Sequence, residues 1–296
     1  MSSNKSQREI RDPIHGFIRR SETEENLIDT RVFQRLRRIK QLALAHLVYP
    51  GAMHTRFDHS LGVMHVAGRM ASHLLRDREV QDRVRITALL HDIGHGPFSH
   101  VSEAILQKYA RADSLKEVNE SKIHEHITSR IIQQNDEIGN CISSNERERI
   151  IAILSGEGDE AIVRNIISGP LDADKQDYLL RDSYFCGVKY GVFDSDRLIS
   201  TLTSFEDAQE RMLATTRDGV YAIEQFAIAK YHMTTQVYRH RIRLITDAMT
   251  VRALELGIDV DDLQWLKDLY LFEDSEDYIR NYLCWDDERV STALLY

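Results

Sequence analysis

The sequence predicts an all-α fold with one small β-hairpin at its N-terminus, on three observations. Apolar residues recur at helical spacing, as in Val32, Phe33, Leu36, Ile39, Leu42 and Ala43. Only four prolines interrupt 296 residues. The stretch REIRDPIHGFIRR, residues 8–20, alternates instead, and Asp12-Pro13 and Gly16 mark a turn between two short strands. No internal repeat or low-complexity linker divides the chain. Residues 1–296 therefore read as one domain, with the β element at 8–20, a helical core at 29–192 and C-terminal helices at 222–296.

Taken in order, residues 22–26 read as a polar connector. Asp29 or Thr30 can cap the helix that follows. Its other face holds Arg31, Arg35, Arg37, Arg38 and Lys40, either solvated or turned towards phosphate, whose oxygens arginine matches bidentately. Tyr49-Pro50-Gly51 is a loop. Helices follow over 61–75 and 80–90, the second delivering His91-Asp92 at its C-terminal end, where unsatisfied carbonyls favour a cation. Residues 101–109 continue helically, and 110–122 form a polar, mobile surface segment. His124 and His126 at i,i+2 do not share a helix face, so at most one reaches a site. Residues 133–148 are polar, and 150–154 and 161–167 are short helices around a GEGDE turn. A helix over 172–181 sets Asp174, Tyr178 and Asp182 on one slowly drifting face, with Lys175 beside it. Residues 184–192 are strand-like or irregular. From about 223 to 256 one long helical pattern carries Lys230, Tyr231, His232, Tyr238 and Arg243, a basic and aromatic stripe able to hold phosphate and stack a base. The acidic stretch 259–287, with interleaved Trp, Leu and Tyr, suits amphipathic helices or a partner contact.

Bulk composition narrows the classes. A net charge of −9 argues against a protein that coats nucleic acid through its overall field, while leaving room for a local basic pocket. Cys141, Cys186 and Cys284 lie far apart, which suits a reducing cytoplasm and gives no cysteine zinc site. The N-terminus has no apolar signal core, and no run approaches the ~18 apolar residues of a membrane span. The expected location is the cytoplasm.

The chemistry concentrates in LLHDIGHGPFSH, residues 89–100. A lone helical histidine is ordinarily a surface or core residue. Here His91, Asp92, His95 and His100 crowd into ten positions with Gly94, Gly96 and Pro97. Imidazole and carboxylate together suit Zn, Fe, Mn or Ni and not Cu(I). HTRFDHSLGV upstream adds Arg56 and His59.

In order, DPIHGFI, IDTRVFQRLRRIKQL, YPGAMHTRFDHSLGV, HDIGHGPFSH and DADKQDYLLRD resemble the HD-domain metal phosphohydrolases. The closer resemblance is to their deoxynucleoside triphosphate (dNTP) triphosphohydrolase branch, which includes the sterile-alpha-motif/HD-domain protein. It is dense over 8–105, resumes at 170–192 and thins over 222–250. It implies that His59, His91, Asp92 and Asp174 hold one divalent ion (Fe, Mn, Zn, Ni or Mg), with room for a second Mg²⁺ on the substrate phosphates. His95, His100, Glu103 and His124 would form the proton-transfer group, Glu103 standing where relatives carry Asp. Arg56, Lys175 and Lys230 would hold phosphates, Lys230 replacing the usual Arg. Gln41, Tyr178 and Asp182 would read the sugar, and Tyr238 would pack against the deoxyribose. Arg8, Asp29, Gln34 and Arg37 stand where the family binds an activating nucleotide between subunits of a homo-oligomer. The sequence carries no sterile-alpha-motif stretch and is expected to stop before the family's C-terminal lobe is complete.

The implied reaction is attack of a metal-activated water on the α-phosphorus of a dNTP, giving deoxynucleoside and inorganic triphosphate. Three alternatives stay open: a deoxynucleoside 5′-monophosphatase, a 3′–5′ exonuclease on single-stranded DNA, and a non-catalytic nucleotide sensor.

Overall fold

The N-terminal turn DPIHG is tied locally, because the Asp12 carboxylate accepts the backbone N–H groups of Ile14 and His15 at 2.9 and 2.8 Å. Gly16 closes the turn at a φ of 74°, which a side chain would disfavour. Strands β1 (Glu9–Asp12) and β2 (Gly16–Arg19) then pair antiparallel, with Ile10 opposite Ile18. The structure, a computed structural model, describes residues 8–110, 123–158, 161–207 and 210–295. Residues 111–122 of the expected mobile segment and the end of the GEGDE turn lie outside them.

Helices follow in order: α1 (Glu22–Ile28), α2 (Arg31–Arg35), α3 (Arg56–Leu74), α4 (Arg78–Leu90), α5 (His100–Tyr109) and α6 (Ile123–Gln134). Then come α7 (Asp136–Cys141), α8 (Ser144–Leu154), α9 (Ala161–Ile167), α10 (Ala173–Phe185) and α11 (Ser195–Thr201). A second hairpin, β3 (Leu202–Asp207) with β4 (Glu210–Thr215), leads to α12 (Val220–Met233), α13 (Arg241–Asp259), α14 (Gln264–Tyr270), α15 (Glu276–Tyr282) and α16 (Asp287–Ala293). The mostly helical fold with its N-terminal hairpin is the one the sequence predicts.

Several local expectations are corrected. The polar stretch 22–26 is not a connector but most of α1, started by a capping box between Ser21 and Glu24. Thr30 does cap α2, yet the helix ends at Arg35 and the chain is extended by Ile39. Tertiary pairing overrides the apolar period there: Gln41 N–H donates to the carbonyl of His54 and Arg56 N–H to that of Ile39. The long helix expected over 223–256 is broken by a π-helical turn at Thr234–Tyr238. The Thr234 and Thr235 hydroxyls bond back to carbonyls of α12 in that turn. Tyr184 and Phe185 belong to α10, and α7 and the start of α8 occupy the polar stretch 133–148. The β3–β4 hairpin has no clear alternation to announce it.

Helices α3 and α4 pack along each other, and α10 crosses α3. That crossing is unusually close. A Cβ on Gly62 would overlap the Asp177 carboxylate and the Arg181 guanidinium. Both groups are fully buried and paired at 2.8 and 2.9 Å, and Arg181 also donates to Asp12 at 2.8 Å. A charge cluster inside the core thus joins the hairpin to α10.

Replacing Arg181 by leucine leaves two buried carboxylates without their counter-ion. It should cost about 3–5 kcal/mol in urea unfolding, against less than about 0.5 kcal/mol for the exposed Arg78→Ala. Equal effects at the two positions would contradict this account.

Candidate active site and metal centre

The segment before α3, the loop from α4 to α5, the start of α6 and the N-terminal half of α10 enclose a pocket of about 300 Å³. His59 reaches its base from α3, and its Nδ1 bonds to Asp177 at 2.8 Å. His91, just past α4, donates its Nδ1–H to the carbonyl of Ala88 at 2.8 Å. With Nδ1 tied, each ring turns Nε2 to the same point, and neither buried Nε2 has a hydrogen-bond partner. A carboxylate oxygen of Asp174 completes the group, all atoms within 4.8 Å of one another. It lies 3.0 Å from Nε2 of His59 and 3.9 Å from that of His91. Two orphaned imidazole nitrogens and a carboxylate are the donor set of a divalent cation, so these residues fit a metal. Burial opposes charge on His59, but Asp174 and Asp177 outweigh it and push its pKa up to about 10.

Asp92 faces this group, with Oδ1 3.3 Å from Nε2 of His91 and Oδ2 3.7 Å from that of His59. Its oxygens are shared: Arg56 pairs with one, and Nε2 of His95 lies 3.2 Å from the other. Burial opposes its charge, yet Arg56, His91 and His95 hold the carboxyl well below its ordinary range.

The expected proton-transfer residues do assemble. His124 bonds through Nδ1 to Glu103 at 2.7 Å, while Glu103 also accepts the N–H of Ile123. His95 stacks on His124 with centroids 4.1 Å apart, and His100 stands edge-on to His95 at 6.0 Å. His126 points elsewhere, to Phe272 and Asp274. His100 is solvent-accessible but enclosed by pocket walls. That surrounding, with Arg56 and Arg243, brings its pKa down to about 4, an effect that solvent at the mouth will partly screen. Burial likewise holds His95 neutral.

Around them, Gln41 presents a buried, unpartnered Oε1. Lys175 lines the pocket while its ammonium rests on Asp172 and the Gly169 carbonyl. Tyr178 lines it too. Asp182 and Tyr238 stand one layer back. The Tyr238 hydroxyl donates to Asp182 at 2.7 Å, His54 holds the other carboxylate oxygen at 2.7 Å, and Tyr238 meets Tyr178 edge-on. Lys230 is not brought to the pocket: it is exposed on α12, which the π-turn ends three residues later. The phosphate-facing role for the α2 arginines fails at Arg35, which is buried and donates to backbone carbonyls. Of the expected activator residues, Arg8 pairs with Glu25, and Asp29 is the exposed C-cap of α1. Gln34 donates to the Ile28 carbonyl at 2.8 Å and accepts from Arg37, which covers the Phe57 ring at 3.5 Å.

Sequence reasoning missed Asp177, His15, Arg181 and Asp12. Asp177 accepts from His59 and Arg181 and bonds to His15 at 2.6 Å. The available signal was Asp177 and Arg181 at i,i+4 in DADKQDYLLRD.

An HD domain matches residues 56–182, and an HD associated region matches 193–282. The crystal structure of a phosphohydrolase from Bacteroides thetaiotaomicron superposes with a TM-score of 0.81 at 30% identity, over 97% of this chain and 71% of that one. The chain belongs to the HD-domain phosphohydrolase family. Among this family's curated members, an uncharacterized protein of Methanocaldococcus jannaschii is 38% identical over 295 residues, 97% of this chain and 58% of its own length. The deoxynucleoside triphosphate triphosphohydrolase SAMHD1 homolog of Dictyostelium discoideum is 30% identical over 295 residues, 93% of this chain and 55% of its own length. The chain thus spans a little over half of these relatives. No helix among the described residues is long and apolar enough to cross a membrane.

Two predictions follow from the HD centre. Calorimetry with Mn²⁺ should show binding lost in His91→Ala and weakened about 10- to 100-fold in Asp177→Asn, which keeps the volume but loosens His59. Tight Mn²⁺ binding by His91→Ala would contradict the assignment. His65 and His100 both have folded pKa values brought down to about 4 by burial and nearby cations. At these two sites the unfolded chain therefore binds more protons between their ordinary ~6.5 and ~4, so their contribution to stability falls as pH drops through that window, opposed by Asp172 and Asp287, whose carboxyls burial raises to about 6. Denaturation of the metal-free protein from about pH 7.5 to about 4.5, compared with His65→Gln, checks the sign: the wild type should lose stability more steeply than the variant.

Proposed function

We propose that this protein hydrolyses deoxynucleoside triphosphates to deoxynucleoside and inorganic triphosphate. The carrying observation is the convergence of two Nδ1-tied histidines and Asp174 beside cationic Arg56 and Lys175 and a histidine cluster. The relatives whose names specify dNTP triphosphohydrolase activity support the choice of substrate.

His59, His91 and Asp174 would hold the cation, and Asp92 could join them. When bound, the ion supplies Lewis-acid chemistry, making water a nucleophile near neutral pH and offsetting phosphoryl charge. Water adds to the α-phosphorus as the bond to the 5′ oxygen breaks, and that oxygen leaves with a proton. Arg56 offers a guanidinium and Lys175 an ammonium to the triphosphate oxygens. Glu103 holds Nδ1 of His124 and so fixes the ring, leaving Nε2 to serve the reacting end. His100 gains a proton more readily once the polyanion is bound. The unpartnered Oε1 of Gln41 is an acceptor for a sugar hydroxyl. Asp182 steadies the Tyr178–Tyr238 wall from behind.

The test is product analysis of the full chain with Mn²⁺ and each dNTP, resolving nucleoside, monophosphate and triphosphate. Deoxynucleoside and triphosphate should form in equal amounts. Asp174→Ala should lower the rate by about 10³-fold or more, and His124→Ala by about 10²- to 10⁴-fold, as for loss of an acid–base group. Monophosphate and pyrophosphate would place the broken bond elsewhere. Turnover only of monophosphates or of single-stranded DNA, or binding without turnover, would replace this reading.

A further inference from the structure

The loop Gly94–His100 carries His95 and His100, yet its backbone is held largely by residues far along the chain. Phe98 and Ser99, just before His100, have φ angles of 60° and 51°, a left-handed conformation that side chains disfavour. Something must hold them there. Asp287, at the start of α16, accepts the Phe98 N–H at 2.7 Å through Oδ1 and the Lys40 N–H at 2.9 Å through Oδ2. One carboxylate thus spans the loop before His100 and the strand-like segment before Gln41. Ser99 closes the circle by donating its hydroxyl to the Lys40 carbonyl at 2.7 Å.

Two further contacts come from the same region. The Tyr282 hydroxyl donates to the Gly94 carbonyl at 3.0 Å, and a Cβ on Gly96 would stand 2.6 Å from that hydroxyl. Arg35, fully enclosed, donates to the carbonyls of His95 at 2.9 Å and Trp285 at 2.7 Å, bridging the loop to the C-terminal helices. Asp287 lies beyond both matched family regions, which end at 182 and 282.

We infer that the segment Tyr282–Asp287 is a brace for the histidine loop, and that Asp287 is a positioning residue for His100 and Gln41. It is not among the residues that line the pocket. Its carboxylate sets two backbone amides, and those place the imidazole and the carboxamide that face the pocket. The kinetic consequence rests on the phosphohydrolase reading, while the structural consequence stands without it.

The experiment compares the full-length wild type with Asp287→Ala, Asp287→Asn and Tyr282→Phe by hydrogen–deuterium exchange, Mn²⁺ calorimetry and dNTP kinetics. In Asp287→Ala, exchange over residues 94–100 should rise about tenfold or more while α3 is unchanged, as for local rather than global opening. Mn²⁺ affinity should stay within about twofold, because His59, His91 and Asp174 are not touched by Asp287. With dNTP, kcat should fall about 10- to 100-fold with KM nearly constant, the size expected of a misplaced group. Asp287→Asn, which keeps one acceptor oxygen, should fall between wild type and alanine in both exchange and kcat. Unchanged loop exchange in folded Asp287→Ala or Asp287→Asn overturns the brace. So does exchange that rises equally in α3, which would make Asp287 a general stability residue. Should Asp287→Ala fail to fold, Asp287→Asn and Tyr282→Phe decide on the same readouts. A wild type that turns over no dNTP refutes the proposed reaction, and the exchange data still decide the brace.

Discussion

Asp177 is buried among three partners, and the rest of the site takes its alignment from that arrangement. Its carboxylate bonds to His59, to His15 in the hairpin turn and to Arg181, which in turn reaches Asp12. A carboxylate with no access to water is tolerable only when its lone pairs are filled and its charge is balanced. Arg181 and the imidazoles meet both conditions, and they hold Asp177 far below its ordinary pKa despite burial. What this buys locally is direction: the Nδ1 contact fixes how the His59 ring stands, and so where Nε2 points.

The pocket itself is balanced in the same manner. Arg56 is bound to Asp92 and to the Ser99 hydroxyl, and Lys175 to Asp172. Acidic and basic groups thus neutralise one another before any ligand arrives, and burial beside Arg56 shifts His95 and His100 towards their uncharged forms. An ion and an anion arriving together exchange these internal partners for external ones of the same sign, which limits the desolvation that binding requires.

Much of this was legible in the chain. The hairpin, the helical class, the clustering of His91, Asp92, His95 and His100, and the shared face of Asp174 and Tyr178 all follow from spacing and residue type. What was not legible depends on distant encounters. The apolar period through Val32–Ala43 promises a continuous helix, but pairing with 54–56 ends it, and that pairing sets Gln41 beside Arg56. Lys230 and Tyr238 share one helical pattern, yet the π-turn leaves one exposed and the other tied to Asp182. Asp177 looked like one more acid on an acidic helix, and only the glycine at position 62 on a different helix makes room for it in the core.

The buried cluster also frames how this protein could be altered. Apolar replacement of an interior ion group often raises stability by about 1–4 kcal/mol, so a search for heat-resistant variants would be drawn to Asp12, Asp177 and Arg181 together. Such a triple exchange would leave the ring of His59 free to rotate on α3. Durability and a well-aimed imidazole are traded against each other at the same three side chains. A hardened variant could keep its fold and lose the orientation that its chemistry needs.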